Sequence, residues 1–245
     1  MKAFYSQVNI KLEKKEMICL VGAGGKTSSM FRLAQELSDE GKKVLATTTT
    51  AIRCPSRDQH DRIVIADSVL PDFFRDTING SITVLGKSIS NEGKLMGVNP
   101  ELLDTLFLVG IFDYILVEGD GSKGRPVKAP AGHEPVIPSL TSKVLGLIGL
   151  DCIGKRVCPE YVHRPELFCR ITGCSEGDTI DTGMVSSLIA HEEGLFKAVP
   201  YQAERYVVLN KADGERERLA AGEIIKRLSN MGYEHDGTVI ARLGM

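Results

Sequence analysis

A strand, a glycine-rich loop ending in Gly-Lys-Thr and a helix together make a cradle for a phosphate anion. Residues 21–27 read Val-Gly-Ala-Gly-Gly-Lys-Thr, with the apolar run Met17, Ile18, Cys19 and Leu20 before them and a helical pattern after. Gly22, Gly24 and Gly25 free the backbone so that its N–H groups, with that of Ala23, can turn toward an anion. A helix opening at Lys26, Thr27 and Ser28 adds the positive end of its dipole. In such a loop the lysine ammonium meets the β- and γ-phosphates and the threonine hydroxyl meets Mg2+, so Lys26 is expected to face ligand rather than core. Leu20 stands where the first glycine of the full GxxxxGK[ST] pattern belongs. The other reading of the segment is an ordinary glycine-rich turn followed by a surface lysine.

A phosphate cradle needs a carboxylate opposite its lysine. The run Tyr114-Ile115-Leu116-Val117 ends in Glu118-Gly119-Asp120-Gly121, and a carboxylate at the end of a buried strand can hold Mg2+ or orient an attacking water. Glu118 and Asp120 are expected to diverge at the strand end, so that one of them meets the metal unless the backbone turns at Gly119. Thr48 or Thr49, in the run Thr47 to Thr50, can present a hydroxyl to the metal or the γ-phosphate; β-branched residues also simply suit a strand. Asn210-Lys211-Ala212-Asp213 has the form NKxD. There an aspartate accepts from both N1–H and the amino group of guanine, the asparagine braces loop and base, and the lysine stem covers the ring. The same four residues also suit a turn leading into a helix, with Asp213 as its cap.

Residues 120–138 carry four prolines and exclude a regular helix. Lys123, Arg125, Lys128 and His133 in this loop would bring positive charge to an anionic substrate. His163 and Arg164 form a fainter candidate. Asp151, at another strand end, suits a rim or structural role. Cys152, Cys158, Cys169 and Cys174 lack zinc-ribbon spacing and read as free thiols.

The elements that must position these groups are legible. Met30, Phe31, Leu33, Ala34 and Leu37 mark one apolar helix face ending near Gly41, and Val44-Leu45-Ala46 follows as a strand. Strand, loop, helix, strand is a βαβ unit. It predicts an α/β fold: three layers around a doubly wound, mainly parallel sheet of P-loop NTPase type. Further strands are expected at 62–66, 82–86, 144–150 and 205–209, and a helix from Pro100. Asn91-Glu92-Gly93-Lys94 reads as the turn of a small hairpin insertion near 82–98 within one domain spanning 1–245. The 245 residues are 42% hydrophobic and 25% charged with a net charge of −2. That balance gives no general field for nucleic acid or an anionic membrane. No apolar run has the length of a membrane span and no secretory segment is evident at the N-terminus, so the expected location is cytoplasmic.

The order of phosphate loop, Glu-Gly-Asp-Gly, strand-end Asp and Asn-Lys-x-Asp resembles that of the metallochaperone GTPases. Over nearly the whole chain, the segments GAGGKT, VLATTTT, VEGDGSKGRPVKAPAGHEPVIP, HRPE and VVLNKAD resemble the selenium-dependent molybdenum hydroxylase accessory proteins. The resemblance implies a role in maturing such an enzyme as client. The expected activity is Mg2+-dependent binding and hydrolysis of GTP, favoured over ATP. A kinase or nucleotidyl transferase acting on a small anionic acceptor, and a nucleotide-sensing module without turnover, are the alternatives.

Overall fold

The structure, a computed structural model, describes residues 2–66 and 71–243. Its strands are β1 (Glu16–Gly22), β2 (Lys43–Thr48), β3 (Ala51–Arg53), β4 (Arg62–Ile65), β5 (Ser81–Gly86), β6 (Ser88–Ile89), β7 (Lys94–Met96), β8 (Tyr114–Glu118), β9 (Val127–Lys128), β10 (Lys143–Gly149), β11 (Val162–His163), β12 (Glu204–Asn210) and β13 (Gly237–Ile240). The helices are α1 (Phe4–Gln7), α2 (Lys26–Asp39), α3 (Pro100–Val109), α4 (Pro165–Thr172), α5 (Thr182–Ala190) and α6 (Glu215–Asn230). Eight strands form one sheet in the order β13-β12-β10-β1-β8-β2-β5-β4, and every neighbouring pair is parallel. Parallel sheets need helices on both faces. Successive residues of β1 divide accordingly: Met17, Cys19 and Val21 pack with apolar residues of α3, α4, α5 and α6, whereas Ile18 and Leu20 pack with α1 and α2. The molecule is an α/β protein with its sheet sandwiched between two helical layers.

The expected strands at 62–66 and 82–86 are β4 and β5, and α3 opens with Pro100 in its first turn behind Asn99. β6 and β7 form the antiparallel hairpin, and β3 adds a third strand to it. Its turn lies at 90–93, where Gly93 has φ +70°. β5 itself belongs to the main sheet, so the hairpin begins only after Gly86.

β8 inserts between β1 and β2 although it comes later in the chain. Later strands then continue from the opposite side of β1. This is a topological switch, and ligand crevices of open α/β sheets lie outside the carboxyl ends of the strands at such a point. Register aligns the polar strand ends there: Thr48 is level with Glu118, Glu118 with Leu20, Gly22 with Leu147, and Gly149 with Asn210.

Candidate functional site

The glycine-rich loop leaves β1 through backbone that side chains rarely adopt. Gly22, Gly24 and Gly25 have φ of +89°, +81° and +116°. A Cβ on Gly24 would lie 2.1 Å from Gly149 N, and one on Gly22 would lie 2.4 Å from Leu147 O. The loop is therefore glycine-dependent both for its dihedrals and for its contact with β10. Ala23 N–H donates to Leu147 O (2.9 Å) and Gly24 N–H to Arg125 O (3.2 Å). No side chain caps the start of α2, in contrast to Asn99 at α3 and Asp181 at α5. The first-turn amides of α2 thus have no intrahelical acceptor and no capping side chain, the condition under which a helix start holds an anion.

Both strand-end carboxylates meet Lys26. Its Nζ lies 3.2 Å from Asp120 Oδ1 and 3.7 Å from Glu118 Oε1, and donates to Gly22 O at 2.6 Å. The expected divergence of Glu118 and Asp120 is not found: positions two apart on a strand share a face, and both carboxylates lie beside Lys26. Gly119 N–H donates to Leu20 O and its carbonyl accepts from Val136 N–H. Glu118 Oε2 accepts from the Thr27 hydroxyl at 2.7 Å, and Asp120 Oδ2 accepts from Gly22 N–H at 3.2 Å. Asp120 Oδ1 is buried and accepts no hydrogen bond despite its ion-pair distance from Lys26.

Lys26, expected to face ligand rather than core, is only 3% exposed and is folded back into an acidic pocket between Asp120 and Glu118. Burial, the largest influence, would push this ammonium down, but Asp120 and Glu118 outweigh it and hold it above the usual lysine range. Burial pushes the Glu118 carboxyl up, more than Lys26 and Thr27 draw it down.

Lys128 departs furthest from the sequence reading. It is 1% exposed, and its three ammonium protons face Asp120 Oδ2 (2.9 Å), Glu134 Oε2 (2.7 Å) and Gly121 O (2.7 Å). It is an internal tie between the acidic edge and the following loop, with no proton left for an anionic substrate. Arg164, in a left-handed conformation before α4, completes the chain by donating to Glu134 Oε2 at 2.6 Å. Burial would raise the Glu134 carboxyl, but Arg164 and Lys128 hold it down at about 2. Arg125 is tied to Pro159 O (2.6 Å) and Lys123 O (3.2 Å), while Lys123 and His133 are exposed. Glu134 is the member of this set that sequence reasoning missed. Its signal was a carboxylate six residues after Lys128 in a proline-rich loop.

The threonine run braces this edge. Thr48 is buried and donates to Glu118 O (2.8 Å), Thr49 donates to Val136 O (2.7 Å), and Thr47 donates to Leu85 O (2.8 Å). Each proton is committed to backbone, and Thr48 acts on Glu118 through its carbonyl.

Asn210 is fully buried, and its amide joins three segments. Nδ2 donates to Gly24 O (2.9 Å) and Leu243 O (3.2 Å), while Oδ1 accepts from Leu243 N–H (2.7 Å). It braces the glycine-rich loop against the segment after β13, a partner that the motif alone does not name. Lys211, at φ +60°, pairs with Asp151 Oδ2 at 2.7 Å on the rim. Asp213 is exposed, and its carboxylate has no hydrogen-bond partner among the described residues. The cap of α6 is Gly214, not Asp213. Of the cysteines, Cys19 and Cys152 are buried, and Cys54, Cys158, Cys169 and Cys174 are half-buried, all as free thiols. Among the described residues no helix is long and apolar enough to cross a membrane.

Three comparisons bear on this arrangement. The structure of chloroplast FtsY from Physcomitrella patens aligns with a TM-score of 0.34 at 15% identity, over 97% of this chain and 53% of that one, so this chain spans about half its length. The uncharacterized protein YqeC of Escherichia coli (strain K12) is 35% identical over 225 residues, covering 91% of this chain and 86% of that protein. A family model described as YqeC protein matches residues 18–166, the stretch that runs from β1 and the glycine loop to the start of α4. The chain belongs to the YqeC family.

Proposed function

We propose that this protein binds and hydrolyses a nucleoside triphosphate, with Mg2+, as an accessory factor in the cytoplasm. One observation carries the reading: an uncapped helix start bearing Lys26 and Thr27 faces two buried strand-end carboxylates across a glycine-dependent loop. The oxygen donors fit a hard divalent cation, because the Thr27 hydroxyl and Glu118 Oε2 are neighbours and Asp120 Oδ1 is buried without a hydrogen bond. Thr27, with Glu118 or Asp120, would hold the metal, whose contribution is to neutralise charge on the phosphate oxygens. Lys26 would exchange Gly22 O and its carboxylates for phosphate oxygens, leaving Asp120 still paired to Lys128. Glu118, with its raised affinity for a proton, suits the acceptance of a proton from attacking water. Phosphoryl transfer rests mainly on such positioning and charge stabilisation.

Guanine is the base this reading favours. The Asp213 carboxylate stands exposed with no hydrogen-bond partner among the described residues, while Asn210 holds the loop behind it. A carboxylate pairing with both guanine donors is worth roughly 1–3 kcal/mol by analogy with bidentate base readout. The finer role, maturation of a selenium-dependent molybdenum hydroxylase as client, rests on the sequence resemblance. Against a group transferase stands the engagement of Lys128 and Arg125, which leaves Lys123 and His133 as the free basic groups of the loop.

The test is titration of GTP and ATP with and without Mg2+, followed by product analysis. Orthophosphate release with GTP preferred, lost in Lys26→Ala and shifted to higher Mg2+ in Thr27→Ala, is the expected outcome. Triphosphate binding that survives Lys26→Ala unchanged would overturn it.

A further inference from the structure

Far along the fold from the glycine loop, the end of α4 holds two thiols in contact. Cys169 Sγ and Cys174 Sγ are 3.4 Å apart, both half-buried. The way the helix ends brings them together. Gly173 adopts φ +75° and its N–H donates to Cys169 O at 2.8 Å, so the chain reverses and returns residue 174 onto the last turn. In this type of helix stop the residue after the left-handed glycine meets the one four positions before that glycine, usually as an apolar contact. Here both positions are cysteine. The Thr172 hydroxyl lies 3.1 Å from Cys174 Sγ, a polar neighbour that Cys169 is not given.

We propose that Cys169 and Cys174 form a reversible intramolecular disulfide, a thiol modification site on α4 separate from the glycine loop. The bond needs the sulfurs to close from 3.4 Å to about 2.05 Å, within the reach of side-chain rotation at the end of a helix. With a peroxide as oxidant, the Cys174 thiolate attacks one peroxide oxygen, the O–O bond breaks, and a sulfenic acid forms as hydroxide leaves and is protonated to water. Cys169 sulfur then attacks the Cys174 sulfur, loses its proton, and displaces the sulfenic oxygen as a second water. Two thiols lose two electrons and two protons, and hydrogen peroxide becomes two waters. Thr172 beside Cys174 favours it as the first thiol to react. Burial and Cys174 push the Cys169 thiol up to about 12, so it stays protonated during the first step. A helix carboxyl end disfavours thiolates, so the reaction is slow and steady rather than that of a catalytic redox pair. The cross-link would fasten the helix that follows Arg164, the outermost member of the ion-pair chain.

The full-length protein is treated with hydrogen peroxide, quenched with N-ethylmaleimide and digested with trypsin. Cleavage after Arg170 separates the two cysteines into peptides 157–170 and 171–197. The expected product is these two peptides joined, two hydrogens lighter than their sum, and released by dithiothreitol. Because Cys158 shares the first peptide, the link must persist in Cys158→Ser and vanish in Cys169→Ser, where dimedone traps Cys174 as its sulfenic acid. No linked peptide with all thiols still alkylated, separate sulfinic acids at the two cysteines, or a link that survives Cys169→Ser would each overturn the proposal. The wild-type digest alone decides the first two outcomes. None of these readouts involves nucleotide.

Discussion

The acidic edge around Glu118 and Asp120 and the loop Asn210–Asp213 both sit at the carboxyl end of the sheet, yet they are built in opposite ways. At the acidic edge, Lys26, Asp120 and Lys128 are nearly inaccessible, and each of these three has a charged partner within 3.2 Å. Of the polar side chains in the Asn210 loop only the neutral amide is buried, while Lys211 and Asp213 stay in or near solvent. The contrast follows from the dielectric. A charge removed from water is tolerated only where partners replace its hydration, so an inner site assembles as a network, whereas rim charges can be placed singly. Mutations at the first should therefore disturb the fold as well as the chemistry, and those at the second mainly the chemistry.

The largest effect is expected for Lys128→Ala. It leaves Asp120 and Glu134 buried with one counter-charge fewer each, a loss of about 3–5 kcal/mol in urea unfolding. A loss below about 1 kcal/mol would mean water enters this edge freely and the contrast is false.

Acid should sharpen the same comparison through His163, which is aligned with Lys128 in the β9–β11 pair. Burial, then Arg164 and Lys128, lower its imidazole from 6.5 to about 4. The unfolded chain therefore binds a proton that the folded one refuses. Its contribution is complete above pH 6.5 and is lost as pH falls through about 4, some 1–3 kcal/mol after allowance for partial exposure. His163→Gln should flatten the stability curve between those values. An unchanged acid limb would show that the imidazole is solvated.

Asn210→Ala comes next. It strands Gly24 O and Leu243 N–H, and an unsatisfied buried group costs about 1–3 kcal/mol. Because Gly24 lies in the cradle, triphosphate binding should weaken with stability, a pairing that calorimetry and chemical unfolding can check together.

The smallest effect is expected at the rim. Lys211→Ala breaks a half-exposed pair with Asp151, worth about 0–1 kcal/mol. Asp213→Asn should leave unfolding within about 0.5 kcal/mol of the parent while moving base preference from GTP toward xanthosine triphosphate. A stability loss at Asp213 as large as that at Lys128 would erase the distinction between the two regions.

Much of the cradle was legible because its chemistry is local. Gly22, Gly24, Gly25, Lys26 and Thr27 are consecutive or nearly so, and the need for positive φ selects glycine wherever the loop turns. The continuous apolar runs of β1 and β8 announced strands buried on both faces. The company that Lys128 keeps was not legible. Glu134 reaches it through an irregular proline-rich loop, Arg164 joins Glu134 from a left-handed residue, and no periodicity encodes such a path. A lysine among prolines and glycines reads as solvated unless its partners are known.

By itself, then, the sequence determined the alternation of strand and helix, the glycine-dependent loop and the polar residues at the strand ends. These follow from backbone sterics and hydrophobic period, which act over a few residues. Tertiary structure alone decided that β8 lies between β1 and β2, that Lys26 folds back between Glu118 and Asp120, and that Asn210 joins Gly24 to Leu243. Each of these depends on which distant segments share a buried space, where every charge and amide must find a partner, and that competition is settled only when the whole sheet assembles.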